Sequence, residues 1–307
     1  MKNFINFITY LIVLAIVKLI VLFPRTVMLK IADLLGDLAY SIDSHHRNVA
    51  LTNIGIAFPG MEVKKAHEIA KNSFRNMFRT GIEVMYAPKI ISSENIANIM
   101  RLEGEKNILD GAKKKKGVLC IAAHFGVWEF LFYGNYLLPQ PFVPLNAIIR
   151  PSDNPYIDKF INHARELLGT VMVPKKQSIK PIIKALQRNE SIGILIDQNV
   201  CREEGVFVDF FGKKAATTFG ATLLALRTDA PIVPVFVYTD RKTNTHVIKF
   251  LPEIPLTRTG NSTEDIRINT QKFTACVEDI IRKNPEQWLW VHKRWKTRPI
   301  GEEEKIY

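Results

Sequence analysis

Several chemistries are missing from this chain. It has no G-x-S-x-G elbow, no glycine-rich phosphate loop, no G-x-G-x-x-G fingerprint and no H-E-x-x-H pair. Those absences set aside elbow hydrolases, P-loop enzymes, dinucleotide-binding domains and helix-borne zinc proteases. Cysteine is sparse: the three residues, Cys120, Cys201 and Cys276, are odd in number and scattered. They provide neither a disulfide framework nor paired metal ligands, which fits a reducing compartment; separately, no metal or other cofactor is expected. No zinc-finger, ribonucleoprotein or basic-zipper signature is present, so nucleic acid ranks last among partners. Internal repeats and low-complexity segments are absent, and composition does not break after residue 24.

What is present begins with charge. Of 307 residues, 42 are Lys or Arg against 30 Asp or Glu, a formal net charge of +12. Such a surface suits an anionic partner, a membrane surface or an acidic protein, although a basic but indifferent surface is the plain alternative. Residues 4–23 form a twenty-residue apolar run whose one charge is Lys18. That length crosses a bilayer core, and Lys18 lies near enough to its end to snorkel. A cleaved signal peptide and a helix lying in the interface are the competing readings. No small-x-small cleavage site precedes Phe23-Pro24-Arg25. Lys2 before the run and Arg25 and Lys30 after it weakly favour a cytoplasmic body. The expected organisation is a transmembrane anchor over 1–24 and one α/β domain over 25–307. Residues 24–40 continue as an amphipathic stretch close to the membrane.

The body is organised around 117–130, GVLCIAAHFGVWEF. Residues 118–123 read as a fully buried strand after the cationic run 113–116, itself expected at a helix C-terminus. His124 then stands where the strand leaves the sheet, the place where open α/β sheets bind ligands. A histidine there can act as a general base, with a carboxylate to fix its tautomer. Glu129 follows five residues later, and positions i and i+5 of one helix point about 140° apart. The two meet only if His124 lies in a loop and Glu129 folds back from the first helical turn. The plain alternative is a strand-end histidine with an unrelated helical glutamate.

Further alternation follows. An apolar stripe from Ala66 to Met85 predicts a helix ended by Pro88, with Lys64, Lys65, Lys71, Arg75 and Arg79 on a solvated face. Strands are expected over 142–149, 170–173, 192–196, 207–211, 232–238 and 247–251, and helices near 179–187 and 218–227. Asn154 caps a helix that Pro155 opens. Ser262-x-x-Asp265 reads as a capping-box variant. Arg150 and Asp197-Gln198 land at the same strand edge as His124. For Arg150 the plain alternative is a surface arginine pairing with Asp153. Residues 285–299 mix Trp288, Trp290 and Trp295 with cations. Either the tryptophans are buried beside an exposed basic tail, or the segment makes an interfacial or lipid-phosphate contact, with Arg294 as the candidate contact.

These residues resemble a known family. The H-x(4)-E of His124 and Glu129 is similar to the motif of glycerolipid-type acyltransferases. The resemblance narrows through Arg47-Asn48-Val49-Ala50-Leu51-x-Asn53 with Phe58-Pro59, Ser73-Phe74-Arg75 and Arg150-Pro151-x-Asp153-Asn154-Pro155. It continues through Asp197-Gln198-Asn199, Val206-Phe207-Val208-x-Phe210-Phe211-Gly212, and the closing Pro285-Glu286-x-x-x-Trp290-Val291-His292-Lys293-Arg294-Trp295-Lys296-Thr297-Arg298-Pro299. Together they resemble the lipid A late (secondary) acyltransferases over nearly the whole chain. The resemblance implies a glycerolipid-acyltransferase-like mixed sheet flanked by helices, behind an N-terminal membrane helix. It also implies acyl carrier protein as donor, the hydroxyl of a 3-hydroxyacyl chain on a lipid A precursor as acceptor, and the cytoplasmic side of a bacterial inner membrane. His124 would be the base and Glu129 its orienter, with Arg150 and amides near Gly126 as oxyanion donors or Arg150 gripping a phosphate of the precursor, and with Asn154, Asp197 and Gln198 as candidate substrate contacts. The motifs fix the catalytic pair more firmly than the acceptor; another glycolipid, a phospholipid or an aminolipid is the alternative.

Overall fold

The computed structural model describes residues 2–139, 144–176, 178–302 and 305–307. Four long helices come first: α1 (Lys2–Ile20), α2 (Arg25–Ile42), α3 (Ser44–Ala57) and α4 (Val63–Ile90). The α/β alternation then runs α5 (Ile96–Ile99), β1 (Met100–Glu103), α6 (Glu105–Ala112), β2 (Val118–Ala122), α7 (Leu131–Gly134) and β3 (Leu145–Ile149). It continues with α8 (Pro155–Arg165), β4 (Val171–Pro174), α9 (Ile179–Gln187), β5 (Ser191–Leu195), β6 (Gly205–Phe210), β7 (Lys213–Thr218) and α10 (Gly220–Thr228). The last elements are β8 (Ile232–Asp240), β9 (Thr245–Phe250) and α11 (Ser262–Lys283).

Seven strands form one sheet in the order β1-β9-β8-β2-β5-β3-β4. All neighbours are parallel except β8 and β9. This is the expected mixed α/β sheet with flanking helices. Every residue of β2 is buried, because helices cover both faces, which is why its sequence is continuously apolar. Side chains alternate across a strand. Leu119 and Ile121 therefore join the core shared with α3, α4, α9 and α11, while Cys120 and Ala122 face the other cluster with Ile108 and Tyr133.

Several expectations change in detail. The α4 helix runs past Pro88 to Ile90. A proline in the final turn forfeits only one bond, and Ile91 N–H still reaches Ala87 O at 2.8 Å. Arg75 and Arg79 are not a solvated face. They pair with Asp37 and Asp33 of α2 at 2.5 and 2.6 Å, since aspartates four apart on one helix match arginines four apart on the other. The two helices approach so closely that a Cβ on Gly36 would lie 2.6 Å from Arg75 Cα. The predicted strand at 207–211 is half of a hairpin, β6 with β7. The cap of α11 is Asn261, whose side chain accepts from Thr263 and Glu264 N–H; Asp265 instead accepts from Thr259. Of the strand expected at 142–149, residues 142 and 143 lie outside the described residues, and β3 begins at Leu145.

Helix α1 has a mean hydropathy of 2.0 and only 6% of that window is buried. It is nonetheless docked at both ends. Asn154 donates to Asn6 O at 2.9 Å, Phe7 and Tyr10 pack on Tyr156, and Tyr86 O–H reaches Ile20 O and Phe23 O. Helix α2 buries Met28, Leu29, Ala32 and Gly36 while Val27, Ile31, Leu34, Leu35, Leu38 and Ile42 stay exposed.

Candidate active site

The parallel register aligns Ala122 of β2 with Leu195 of β5. Two residues beyond each, His124 and Asp197 emerge side by side at the carboxyl edge of the sheet. Asp197 Oδ1 lies 2.9 Å from His124 Nδ1. Its Oδ2 accepts from His124 N–H at 3.0 Å and from Trp288 Nε1–H at 2.9 Å. Asp197, expected as a substrate contact, is thus the carboxylate that orients the histidine. Three donors around a fully buried carboxyl leave it ionised. Burial alone would raise its pKa, but the His124 charge and hydrogen bond, then Trp288 and the His124 amide, bring it down to about 2. Burial would lower the His124 pKa; the charge and hydrogen bond of Asp197, with a smaller push from Glu129, reverse that and hold it above the ordinary value.

Glu129 takes a different place from the one expected. Residues Trp128–Phe130 form a single 3-10 turn rather than the start of a long helix. Glu129 forms a bidentate pair with Arg165 of α8, both bonds 2.8 Å. Arg165, which sequence reasoning missed, is the partner that the awkward i+5 spacing left unassigned. Both side chains are mostly buried, at 19% and 14% exposure. The Gly126 amide, expected as an oxyanion donor, is committed to Gln287 O at 2.9 Å. Gly126 itself has φ +59°, and a Cβ there would sit 2.0 Å from Val237 O, so only glycine fits this corner.

Gln198 approaches from the other side, its Nε2 3.3 Å from His124 Nε2, and the Trp128 ring lies edge-on 5.2 Å from the imidazole. With Nδ1–H donated to Asp197, the Nε2 lone pair is the free basic position, covered by the Gln198 amide. Arg150 is exposed at the end of β3 and lines the same cavity. Two expected contacts fall away. Asn154 spends its carbonyl capping α8 and its amide on Asn6 O. Arg294 is fully buried beneath Phe210, bonded to Ala216 O and Thr217 Oγ1. The tryptophans of the C-terminal segment are likewise buried, as the first of the two readings has it, but Arg294 and Arg298 are buried with them, so the tail is not the exposed basic one that reading expected.

A cavity of ≈ 250 Å³ leads away from this cluster. His124, Trp128, Glu129, Arg150 and Arg165 line its polar end, and Ala122, Cys120, Ala147, Gly193 and Leu195 form one wall on the sheet. Leu131, Phe132 and Ile108 close it from the helical side, and Ser191 lies at the far strand end. The Ser191 hydroxyl is buried with no partner among the described residues. Small side chains on three adjacent strands are what leave this groove open between sheet and helices.

The family model for bacterial lipid A biosynthesis acyltransferases matches residues 2–297. The chain belongs to that family. Similar proteins of Escherichia coli (strain K12) include a lipid A biosynthesis lauroyltransferase, 26% identical over 94% of this chain and 91% of its own. A palmitoleoyltransferase is 23% identical over the same shares, and a myristoyltransferase 25% identical over 87% and 80%. This acyltransferase therefore places a carboxylate-held histidine at the polar end of an apolar groove. The arrangement can accept a proton at the mouth of an apolar groove, and none of the described residues form a cluster suited to a metal ion.

Proposed function

We propose that this acyltransferase moves a fatty acyl chain from an acyl carrier protein thioester to a hydroxyl of a 3-hydroxyacyl chain on a lipid A precursor. The acceptor O–H gives its proton to His124 Nε2 as its oxygen attacks the thioester carbonyl. The new C–O bond forms, the C–S bond breaks, and the imidazolium returns the proton to the departing sulfur. Asp197 keeps Nδ1 protonated and stabilises the imidazolium between those steps. The Gln198 amide beside Nε2 and the Arg150 guanidinium on the cavity wall are the candidate donors for a developing oxyanion. Glu129, held by Arg165, adds negative charge near the imidazolium.

The observation that carries this reading is the carboxylate-bound histidine opening onto an apolar groove. From the Ala122–Leu195 level to Ser191 is four strand residues, about 13 Å, and from His124 about 20 Å. Bonds of about 1.5 Å meeting at about 111° advance about 1.25 Å per carbon, so roughly ten to sixteen carbons fit. The names lauroyl-, myristoyl- and palmitoleoyltransferase among its relatives fall in that range.

The body would sit on the cytoplasmic side of a bacterial inner membrane, with residues 1–24 as the anchor and 25–307 as the catalytic domain. The unburied α1 and the exposed apolar face of α2 support one continuous membrane-seated surface, which brings a lipid acceptor to the site without a soluble intermediate. Incubating purified protein in detergent with acyl carrier thioester and lipid A precursor tests the proposal. The expected product is heavier by one acyl group, and absent with His124→Ala. A precursor of unchanged mass with every thioester offered would overturn the assignment.

A further inference from the structure

Among the buried groups that the transfer reading leaves unused is the indole of Trp288. It is 1% exposed and packs edge-on against Trp290 at 4.6 Å and Phe210 at 5.6 Å. Its position is set by backbone as much as by packing. Trp288 bridges Phe125, Leu289 N–H donates to His124 O at 3.1 Å, and Gly126 N–H donates to Gln287 O. The α4 helix clamps the same stretch, Ser73 Oγ donating to Trp288 O at 2.6 Å and Asn76 to the carbonyls of Gly126 and Gln287. The segment that carries the indole is therefore also the segment that holds the backbone of the histidine.

We propose that Trp288 is a positioning residue of the transfer: its indole N–H fixes the far oxygen of Asp197 so that the near oxygen stays on Nδ1 of His124. The proposal rests on the acyl-transfer reading for its kinetic consequence. Without the indole, Oδ2 keeps one donor, the His124 amide at 3.0 Å, and both remaining holds on the carboxylate then come from the histidine that it orients. A bond to an ionised, buried carboxylate is among the stronger kinds. The other charged groups facing the pair are Glu129 from the 3-10 turn and His292 and Arg294 from the C-terminal segment. None of these donates to Asp197.

Trp290 supplies the control. It is equally buried and donates its indole N–H at 2.6 Å, but to Pro285 O. Compare Trp288→Phe with Trp290→Phe, both checked for folding by thermal melting. Two readings are taken: the pH dependence of acyl transfer, and the pH dependence of His124 carbethoxylation by diethyl pyrocarbonate, located by peptide mass spectrometry. The second needs no substrate, so it stands even if the wild-type protein transfers no acyl group to lipid A precursor. In Trp288→Phe, kcat is expected to fall on the order of tenfold with KM unchanged, the size of one lost charge-assisted bond. Both pH midpoints move to lower pH, because a loosened carboxylate stabilises the imidazolium less. In Trp290→Phe both midpoints stay at the wild-type value. Midpoints that stay put or rise in Trp288→Phe, or that move equally in both variants, overturn the proposal, since a donor that only damped the carboxylate's charge would raise them. If Trp288→Phe does not fold, benzothienylalanine in place of Trp288, which keeps the bicyclic shape with sulfur where the N–H was, is read the same way.

Discussion

Replacing Asp197 by Asn separates the two carboxylates that could serve His124. Oδ2 of Asp197 accepts two N–H groups, from His124 and Trp288. An amide at this position has one acceptor, and both donors compete for it, so the carbonyl oxygen takes the Oδ2 place. Its NH2 group then faces Nδ1, which must become an acceptor, leaving the proton on Nε2. The base loses its lone pair on the side that faces the substrate. A forced wrong tautomer of this kind lowers kcat on the order of 10⁴-fold, about 5 kcal/mol of activation free energy. Folding suffers far less, about 1–2 kcal/mol, since both N–H donors keep a partner. The assay is single-turnover transfer from acyl carrier thioester to lipid A precursor, followed by mass spectrometry, with thermal melting alongside. The reasoning is refuted if Asp197→Asn stays within tenfold of wild type while Glu129→Gln loses activity, which would return the orienting role to Glu129.

Three further outcomes are expected. The acid limb of the kcat/KM–pH profile lies above the ordinary histidine value, because the folded pKa of His124 is raised. Activity appears as pH rises through that value, whereas the stability gained from the imidazolium is complete below the ordinary value and disappears over the same rise. A profile flat through the histidine range would contradict this. Arg165→Met strands Glu129 in a mostly buried place and costs about 3 kcal/mol; the double variant with Glu129→Gln recovers part of it, and a melting temperature indifferent to either change would remove the pair from the fold's support. Gly193→Val fills the sheet wall of the groove, where a Cβ meets Leu145 at 3.5 Å and Asn146 O at 4.0 Å, both ordinary contact distances. Product mass spectra with thioesters of several lengths should shift toward shorter chains, and an unchanged preference places the chain elsewhere.

Legibility followed the range of the interactions. Local pattern sufficed for β2, for α8 with its Asn154 cap and Pro155, and for α9, whose bounds matched the expected 179–187. Hydrophobic periodicity and caps are properties of neighbours in the chain. Pairings across long separations were not readable. Arg75 and Arg79 have the same composition and spacing as a solvated basic face, and only the packing of α2 turns them into half-buried ion pairs. Trp288, Trp290 and Trp295 beside cations look like a membrane belt until β6, β7 and α3 enclose them.

The active site divides in the same way. By itself the sequence determined that a histidine ends a buried strand, that Arg150 and Asp197 end other strands at the same sheet edge, and that an apolar helix precedes the body. Those follow from residue type and period. Which carboxylate serves the histidine was decided only by the tertiary structure. The parallel register of β2 and β5 sets Asp197 2.9 Å from Nδ1, while the short 3-10 turn sends Glu129 to Arg165. Sequence spacing gives the distance along a chain; hydrogen-bonded register gives the distance between chains' ends, and the chemistry depends on the second.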